Sequence, residues 1–278
     1  MTLHPAAPDS GIVFRRLDAG AEIAARWDNA VDSPLCTVLS DRQGVRIATV
    51  EHLMAALAGA EIDNAVIELD GPEVPILDGS AAPFLYQIER AGRLAQDRPR
   101  RAIKILKPVT VCEDGASAAL LPDSGFSMSF AIEFDNPLIR RQELTLSFDA
   151  DTFRSELSRA RSFCLLDDVN RMRAAGLARG GSLDNAVVVS GERVLNEGGL
   201  RYADEFVRHK LLDALGDLYL AGGPLIGRFR GEKSGHALTR RLLCALFADR
   251  DAWCTTTLDG GAGIAAPAWP RPLRLATA

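Results

Sequence analysis

A chain of 278 residues, 47% of them apolar, has material for two domains of ordinary size around a substantial core. Its 32 Lys and Arg against 37 Asp and Glu leave a net charge of −5. The basic residues are scattered, RPRR at 98–101 being the one dense run, which argues against a nucleic-acid surface. No apolar run approaches the ~18 residues that span a bilayer, and the N-terminus lacks a charged region followed by an apolar one, so a soluble, cytoplasmic protein is expected. Five cysteines, at 36, 112, 164, 244 and 254, are odd in number and share no C-x-x-C spacing. They suit a reducing compartment and give neither a zinc ribbon nor a disulfide framework.

In chain order, the proline-containing start, which carries His4, reads as unstructured. Gly11 to Arg16 reads as a strand, and a second one, Val45 to Thr49, runs into a helix from Val50 to Ala60. Thr49 is the expected N-cap there, and Val50, Leu53, Met54 and Leu57 supply the apolar stripe. A strand at Asn64 to Leu69 is followed by the turn-rich DGPEVPILDGSAAP and a helix from about Ala82 to Ala91. Between Gly92 and Arg101 the sequence turns polar, with Pro99 inside it. This segment is the candidate linker between an N-terminal domain, 1–95, and a C-terminal one, 96–278.

The second half opens with strands at Ala102 to Val111, Ser117 to Leu121, Phe126 to Phe134 and Glu143 to Phe148. A helix at about Leu165 to Ala175, a short strand NAVVVS, a helix within Asp204 to Leu218 and a last one from about His236 to Ala248 follow. Strands running into helices within each half indicate an α+β plan. Val50-Glu51-His52 and Val207-Arg208-His209, together with DNAV at 63 and again at 184, are compatible with duplicated halves.

The stretch DEFVRHKLLDALGDL places His209, Asp213 and Asp217 at successive four-residue steps, with Phe206, Val207, Leu211, Leu212, Leu215 and Leu218 on the opposite side. Residues i and i+4 lie one above the other on a helix, so an imidazole and a carboxylate converge on one cation there. Of the four histidines, His52, His209 and His236 fall at or near helix starts. A mononuclear catalytic zinc takes three protein ligands, commonly two imidazoles and a carboxylate, and keeps a fourth position open. His52, His209 and Asp213 fill that requirement.

Four separated motifs, TVEHLMAALAG, DGSAAPF, RVLNEGGLRYADEFVRHKLLDALGD and KSGHALTRRLL, occur in an order that resembles the zinc-dependent UDP-3-O-acyl-N-acetylglucosamine deacetylases of Gram-negative lipid A synthesis. The resemblance runs from about Gly11 to about Trp253. It implies two similar domains, each a β-sheet with helices on one face, the helices packed between the two sheets, and a β-α-β insert at about 162–190 forming a tunnel for an acyl chain. It implies zinc, or iron(II) in its place, on His52, His209 and Asp213. Glu51 is then the general base, His236 the general acid, Asp217 the carboxylate that orients it, and Ser162 the hydroxyl donor to the oxyanion, where the family usually has threonine. Lys210 corresponds to a lysine near the nucleotide phosphates, Phe163 to an aromatic at the mouth of the acyl passage, and Phe134 to an aromatic of the uridine pocket.

The residue types suit that chemistry. Amide hydrolysis at neutral pH needs an activated water and a proton for the departing amine; Glu51, beside His52 in sequence, suits the first, and His236, with the Asp217 partner that the resemblance implies, suits the second. The expected substrate is a UDP-linked acylated amino sugar taken up by a monomer, without nucleic acid or stable membrane insertion. One departure is the start MTLHPAAPDSGIVFRR. The expectation is that the family's leading hairpin, with its glycine-flanked Leu-His pair, is missing, leaving a sheet edge unpaired and the site less enclosed. Two other readings remain open: a zinc amidohydrolase acting on a different N-acetylated metabolite, and a truncated relative that binds metal and acylated substrate without turnover.

Overall fold

The computed structural model of the chain describes residues 1–174, 176–178, 180–258 and 273–274. The first elements are β1 (Thr2–Pro5), β2 (Ile12–Arg16), β3 (Ala21–Ala24), a 3-10 turn at Trp27–Asn29, β4 (Ala30–Val31), β5 (Val38–Ser40) and β6 (Arg46–Ile47). Then come α1 (Glu51–Gly59), β7 (Ala65–Leu69), α2 (Ala82–Ala91), β8 (Arg101–Ile105), β9 (Val109–Glu113), β10 (Ala116–Leu121), β11 (Phe126–Glu133) and β12 (Arg141–Ser147). A short α3 (Ala150–Thr152) runs into a π-helical turn at Phe153–Leu157, followed by β13 (Phe163–Leu165), α4 (Leu166–Ala174), β14 (Val187–Ser190) and β15 (Arg193–Val194). The last are α5 (Glu205–Tyr219), β16 (Leu225–Glu232), α6 (His236–Ala248), β17 (Trp253–Thr257) and β18 (Leu273–Arg274).

Alternating side chains build the sheets. In β2 and β7 the residues Ile12, Phe14, Ala65, Ile67 and Leu69 point inward while their neighbours are half-exposed, the period of two that one buried sheet face requires. These strands pair in parallel, Phe14 beside Ile67, within a five-stranded sheet ordered β18-β1-β7-β2-β3. A seven-stranded sheet has the path β12-β11-β16-β10-β9, with β8 and β17 continuing from β16. Small sheets β4-β5-β6 and β13-β14-β15 complete the set. The whole is a mixed α/β fold in which one continuous apolar core includes Phe14 and Ile67 of the first sheet, Leu53 and Leu57 of α1, Leu211 and Leu215 of α5, and Phe130 and Phe229 of the second. Between β13 and the parallel β14 runs α4, a β-α-β unit; of the helix expected at Leu165 to Ala175, Ala175 lies outside the described residues.

Several expectations are corrected. The start is not unstructured: Thr2 to Pro5 pairs with β7, and His4 Nε2 lies 2.9 Å from Glu68 Oε2. Beyond β1 the sheet continues to β18, which pairs with it at Thr2 and Leu3. Thr49 is not an N-cap. Its φ of 59° puts a β-branched residue in the left-handed region, and its hydroxyl donates to Glu73 instead of accepting from an N–H of α1. The strand expected over Val45 to Thr49 shrinks to Arg46–Ile47, and the one over Ala102 to Val111 breaks at Leu106, Lys107 and Pro108, where proline has no N–H for a ladder. Sequence reasoning missed β16, whose LIGRFRGE is diluted by glycine and arginine, although it lies at the centre of the second sheet.

The contact that matters most for function is the crossing of α1 and α5. All nine residues of α1 are buried, and in α5 only Arg208 and Lys210 are partly exposed, so the polar stripe of α5 is not a solvated face. A Cβ at Gly216 would stand 2.0 Å from the Glu51 carbonyl oxygen and 3.1 Å from the Ala55 nitrogen. Only glycine lets the two backbones approach this closely. At Gly216→Ala, helix propensity would favour alanine by about 1 kcal/mol, but overpacking against backbone costs roughly 1–3 kcal/mol or more. We expect a net loss of stability in urea denaturation, where an unconstrained helical glycine would show a gain.

Candidate active site

The crossing brings the first turn of α1 against the middle of α5. Glu51 and His52 open α1, His209, Asp213 and Asp217 form one edge of α5, and His236 is the first residue of α6. The possible ligand atoms of His52, His209 and Asp213 all lie within 4.8 Å of one another. Asp213 Oδ1 is 3.4 Å from His52 Nε2 and 3.2 Å from His209 Nε2. This oxygen is buried and accepts no hydrogen bond, and His52 Nδ1 is likewise buried without a partner. Leaving such a carboxylate oxygen unsatisfied is costly, and a divalent cation shared with the two imidazoles removes the cost. The donor set therefore fits a metal ion.

His209 is prepared for that role. Its Nδ1 lies 3.1 Å from the Ala160 carbonyl, which holds the proton on Nδ1 and turns the Nε2 lone pair toward Asp213. Burial, reinforced by His52, pushes its pKa down to about 4 against the pull of Asp213, so the ring is neutral at physiological pH. Burial would raise the Asp213 carboxyl, but His209, Lys210, His52 and His236 together hold it well below the usual carboxylate range.

Two further groups stand beside the cluster. Glu51 is buried, and that burial pushes its pKa up against the opposing pull of His236 and His52. Its Oε2 accepts from the Thr37 N–H at 3.0 Å. His236 Nδ1 is 2.8 Å from Asp217 Oδ2, and its Nε2 is 3.9 Å from Asp213 Oδ2. Burial would lower the His236 pKa, yet the ion pair and hydrogen bond with Asp217, aided by Glu51 and Asp213, raise it to about 9.

Ser162 joins the same cluster, its Oγ 3.2 Å from His209 Nε2 and 3.5 Å from His52 Nε2. The DGSAAPF turn holds it there: the Ser162 N–H donates to the Gly79 carbonyl at 2.8 Å. Gly79 has φ +79°, and a Cβ on it would meet the Asn185 carbonyl oxygen at 2.0 Å. Phe163 stacks edge-on with Phe134 at 5.5 Å, with Phe206 at 5.0 Å and with His209 at 6.3 Å between ring centroids, so Phe163 adjoins the cluster and the exposed Phe134 packs against Phe163. Lys210, expected near phosphates, has its Nζ 3.1 Å from Asp213 Oδ2.

Sequence reasoning missed the supporting residues. Thr37 precedes an ordinary apolar strand, and no motif marks it. Arg161 and Glu205 form a buried pair, Glu205 Oε1 accepting from both the Arg161 N–H at 3.0 Å and its Nε at 2.8 Å, which fixes the chain between Ala160 and Ser162. The signal available was the i+4 relation of Glu205 to His209 on one helix edge.

Two imidazoles and a carboxylate converging on one point, with a buried glutamate and a carboxylate-paired histidine beside them, define a metal-dependent hydrolase. The chain belongs to the UDP-3-O-acyl N-acetylglycosamine deacetylase family, whose model matches residues 1–248. A UDP-3-O-acyl-N-acetylglucosamine deacetylase of Nitrosococcus oceani is 52% identical over 280 residues, covering 99% of this chain and 92% of its own. Proteins of the same name from Chromohalobacter salexigens and Hahella chejuensis are 52% and 48% identical, over 93% and 98% of this chain and 86% and 91% of theirs.

The geometry separates metal binding from proton transfer. His209→Ala is expected to lose bound zinc while Glu51→Ala keeps it, both read as metal per chain after dialysis; full zinc content in His209→Ala would remove the ligand assignment.

Proposed function

We propose that this chain hydrolyses the N-acetyl group of UDP-3-O-[(3R)-3-hydroxyacyl]-N-acetylglucosamine, releasing acetate, at the committed step of lipid A biosynthesis. The observation that carries the proposal is the convergence of His52, His209 and Asp213 beside Glu51, in a chain about half identical to deacetylases of that name. Zinc is the proposed ion, with iron(II) as its substitute. When bound, it supplies Lewis acidity that polarises the acetamide carbonyl and activates water near neutral pH.

The residues of the chain do the rest. Glu51, with one oxygen held by the Thr37 N–H, keeps the other for the proton of the attacking water, and its raised pKa brings its basicity toward the working pH. The Ser162 hydroxyl donates to the oxyanion as the carbonyl becomes tetrahedral. His236 then gives the proton on Nε2 to the departing amine nitrogen, while Asp217 retains the Nδ1 proton and so keeps the imidazolium charged until that moment. Lys210, leaving Asp213, serves the nucleotide phosphates as a point charge. Phe134 lines the uridine pocket and Phe163 the mouth of an acyl tunnel built from residues 162–190.

In this reading residues 1–95 and 96–278 are two similar domains whose helices lie between the two large sheets, with the site at their junction. The enzyme works as a cytoplasmic monomer. Among the described residues no helix is long and apolar enough to cross a membrane.

Acetate release from the UDP-linked substrate should stop on chelation and return with added zinc, and free N-acetylglucosamine should be a far poorer substrate. Equal turnover of the two sugars would point to a different amidohydrolase. Glu51→Ala should lower kcat by roughly 10²–10⁴-fold, the usual worth of a general base. The alkaline limb of kcat/KM should move to lower pH in Asp217→Asn. His236 must be protonated to act, Asp217 is what raises its pKa above the ordinary 6.5, and removing that carboxylate lets the proton leave earlier as pH rises. An unmoved limb would take the acid role away from His236.

A further inference from the structure

Thr37 sits just before β5, in the small β4-β5-β6 sheet, and is 7% exposed. All three of its hydrogen-bonding groups are engaged at the site. Its N–H donates to Glu51 Oε2 at 3.0 Å. Its carbonyl accepts from the Val50 N–H, immediately before α1, at 3.4 Å. Its hydroxyl donates to Asp217 Oδ1 at 2.5 Å, and the same oxygen lies 3.1 Å from His236 Nδ1. No other residue hydrogen-bonds to both Glu51 and Asp217 among the described residues.

We propose that Thr37 is a positioning residue that holds the proton-accepting and proton-donating groups in one register. This rests on the deacetylase reading above and adds a residue that none of the four sequence motifs contains.

The argument is one of valence. The Asp217 carboxylate has two oxygens and one task, to hold His236 through Nδ1. Oδ2 does this at 2.8 Å, and Oδ1 lies buried on the other side, where without a donor it would rotate the carboxylate in search of one. The Thr37 hydroxyl is that donor. A threonine hydroxyl has a single proton; given to Oδ1, it leaves only lone pairs facing His236 Nδ1, so the Nδ1 proton stays between His236 and Asp217 and the imidazole Nε2 keeps its orientation toward Asp213. The backbone N–H works in parallel on Glu51, occupying Oε2 and leaving Oε1 for the water. Because both bonds come from one residue clamped to α1 through the Val50 N–H, the spacing between base and acid is set by a single rigid unit instead of two independent side chains. Threonine suits the place better than serine, since branching at Cβ restricts χ1 and fixes the direction of the hydroxyl.

Thr37→Val keeps the shape and the backbone N–H and deletes only the hydroxyl. With zinc-loaded protein we expect kcat for the UDP-linked substrate to fall on the order of 10–100-fold, a fraction of the full worth of the acid. KM should stay within about twofold, zinc should remain at one per chain, and Thr37→Ser should recover most of the rate, since it restores the donor. Independently of turnover, the low-field Nδ1–H proton resonance of His236 should shift or broaden in Thr37→Val and not in Thr37→Ser. In an Asp217→Asn background the further loss from Thr37→Val should be small, because the group through which it acts is already impaired. Wild-type kcat together with an unmoved resonance in Thr37→Val overturns the proposal. So does loss of zinc or of the folded state in both Thr37→Val and Thr37→Ala, which would make the residue structural. Absence of turnover in the wild type would instead count against the deacetylase reading, and the resonance would still decide the role of Thr37.

Discussion

The close crossing of α1 on α5 at Gly216 is the constraint on which the site depends. A side chain as small as a methyl at that point would occupy the space of the Glu51 carbonyl, and Glu51 and His52 are the first two residues of α1. Asp213 and Asp217 flank Gly216 in sequence, one three residues before it and the other directly after. The glycine that permits the contact therefore also brings Glu51 and His52 of one helix against Asp213 of the other. Phe153, whose ring would collide with any Cβ at Gly59, closes the other end of α1 against the π-helical turn. The helix is pinned at both ends by glycines with nothing to spare.

Burial of so many ionisable groups at one place has a physical cost, and the arrangement shows how it is met. Asp217 is neutralised by His236 and a hydroxyl, and Glu205 by Arg161. Asp213, between two imidazoles and Lys210, is left with one oxygen unsatisfied. Buried charges that are fully paired are structural devices, whereas one left incomplete marks the point where something else must bind. The same low-polarity surroundings push Glu51 up and His209 down while Asp217 lifts His236, so neighbouring groups are shifted in opposite directions within one environment.

Much of this was legible in the sequence. Helices with strong apolar periodicity were placed well, α2 and α6 beginning and ending where the pattern does. The i, i+4 relation of His209, Asp213 and Asp217 on α5 follows from helix geometry alone. Where pattern was weak, the reading failed for identifiable reasons. Thr2–Pro5 looks like a disordered tail because its proline and polar residues hide a strand whose stabilisation comes from β7, about sixty residues later. Thr49 has the residue type of a cap but a backbone conformation that directs its hydroxyl to Glu73.

Sequence by itself determined the donor types, their helical spacing and the chemistry they permit, because residue identity and a 3.6-residue repeat are local properties. The meeting of His52 with His209 and Asp213, the entry of Ser162 on its turn, and the part played by Thr37 were decided only by the tertiary structure. Those contacts join residues 14 to 199 positions apart, and a chain carries no local signal for a neighbour that packing alone brings within three or four ångströms.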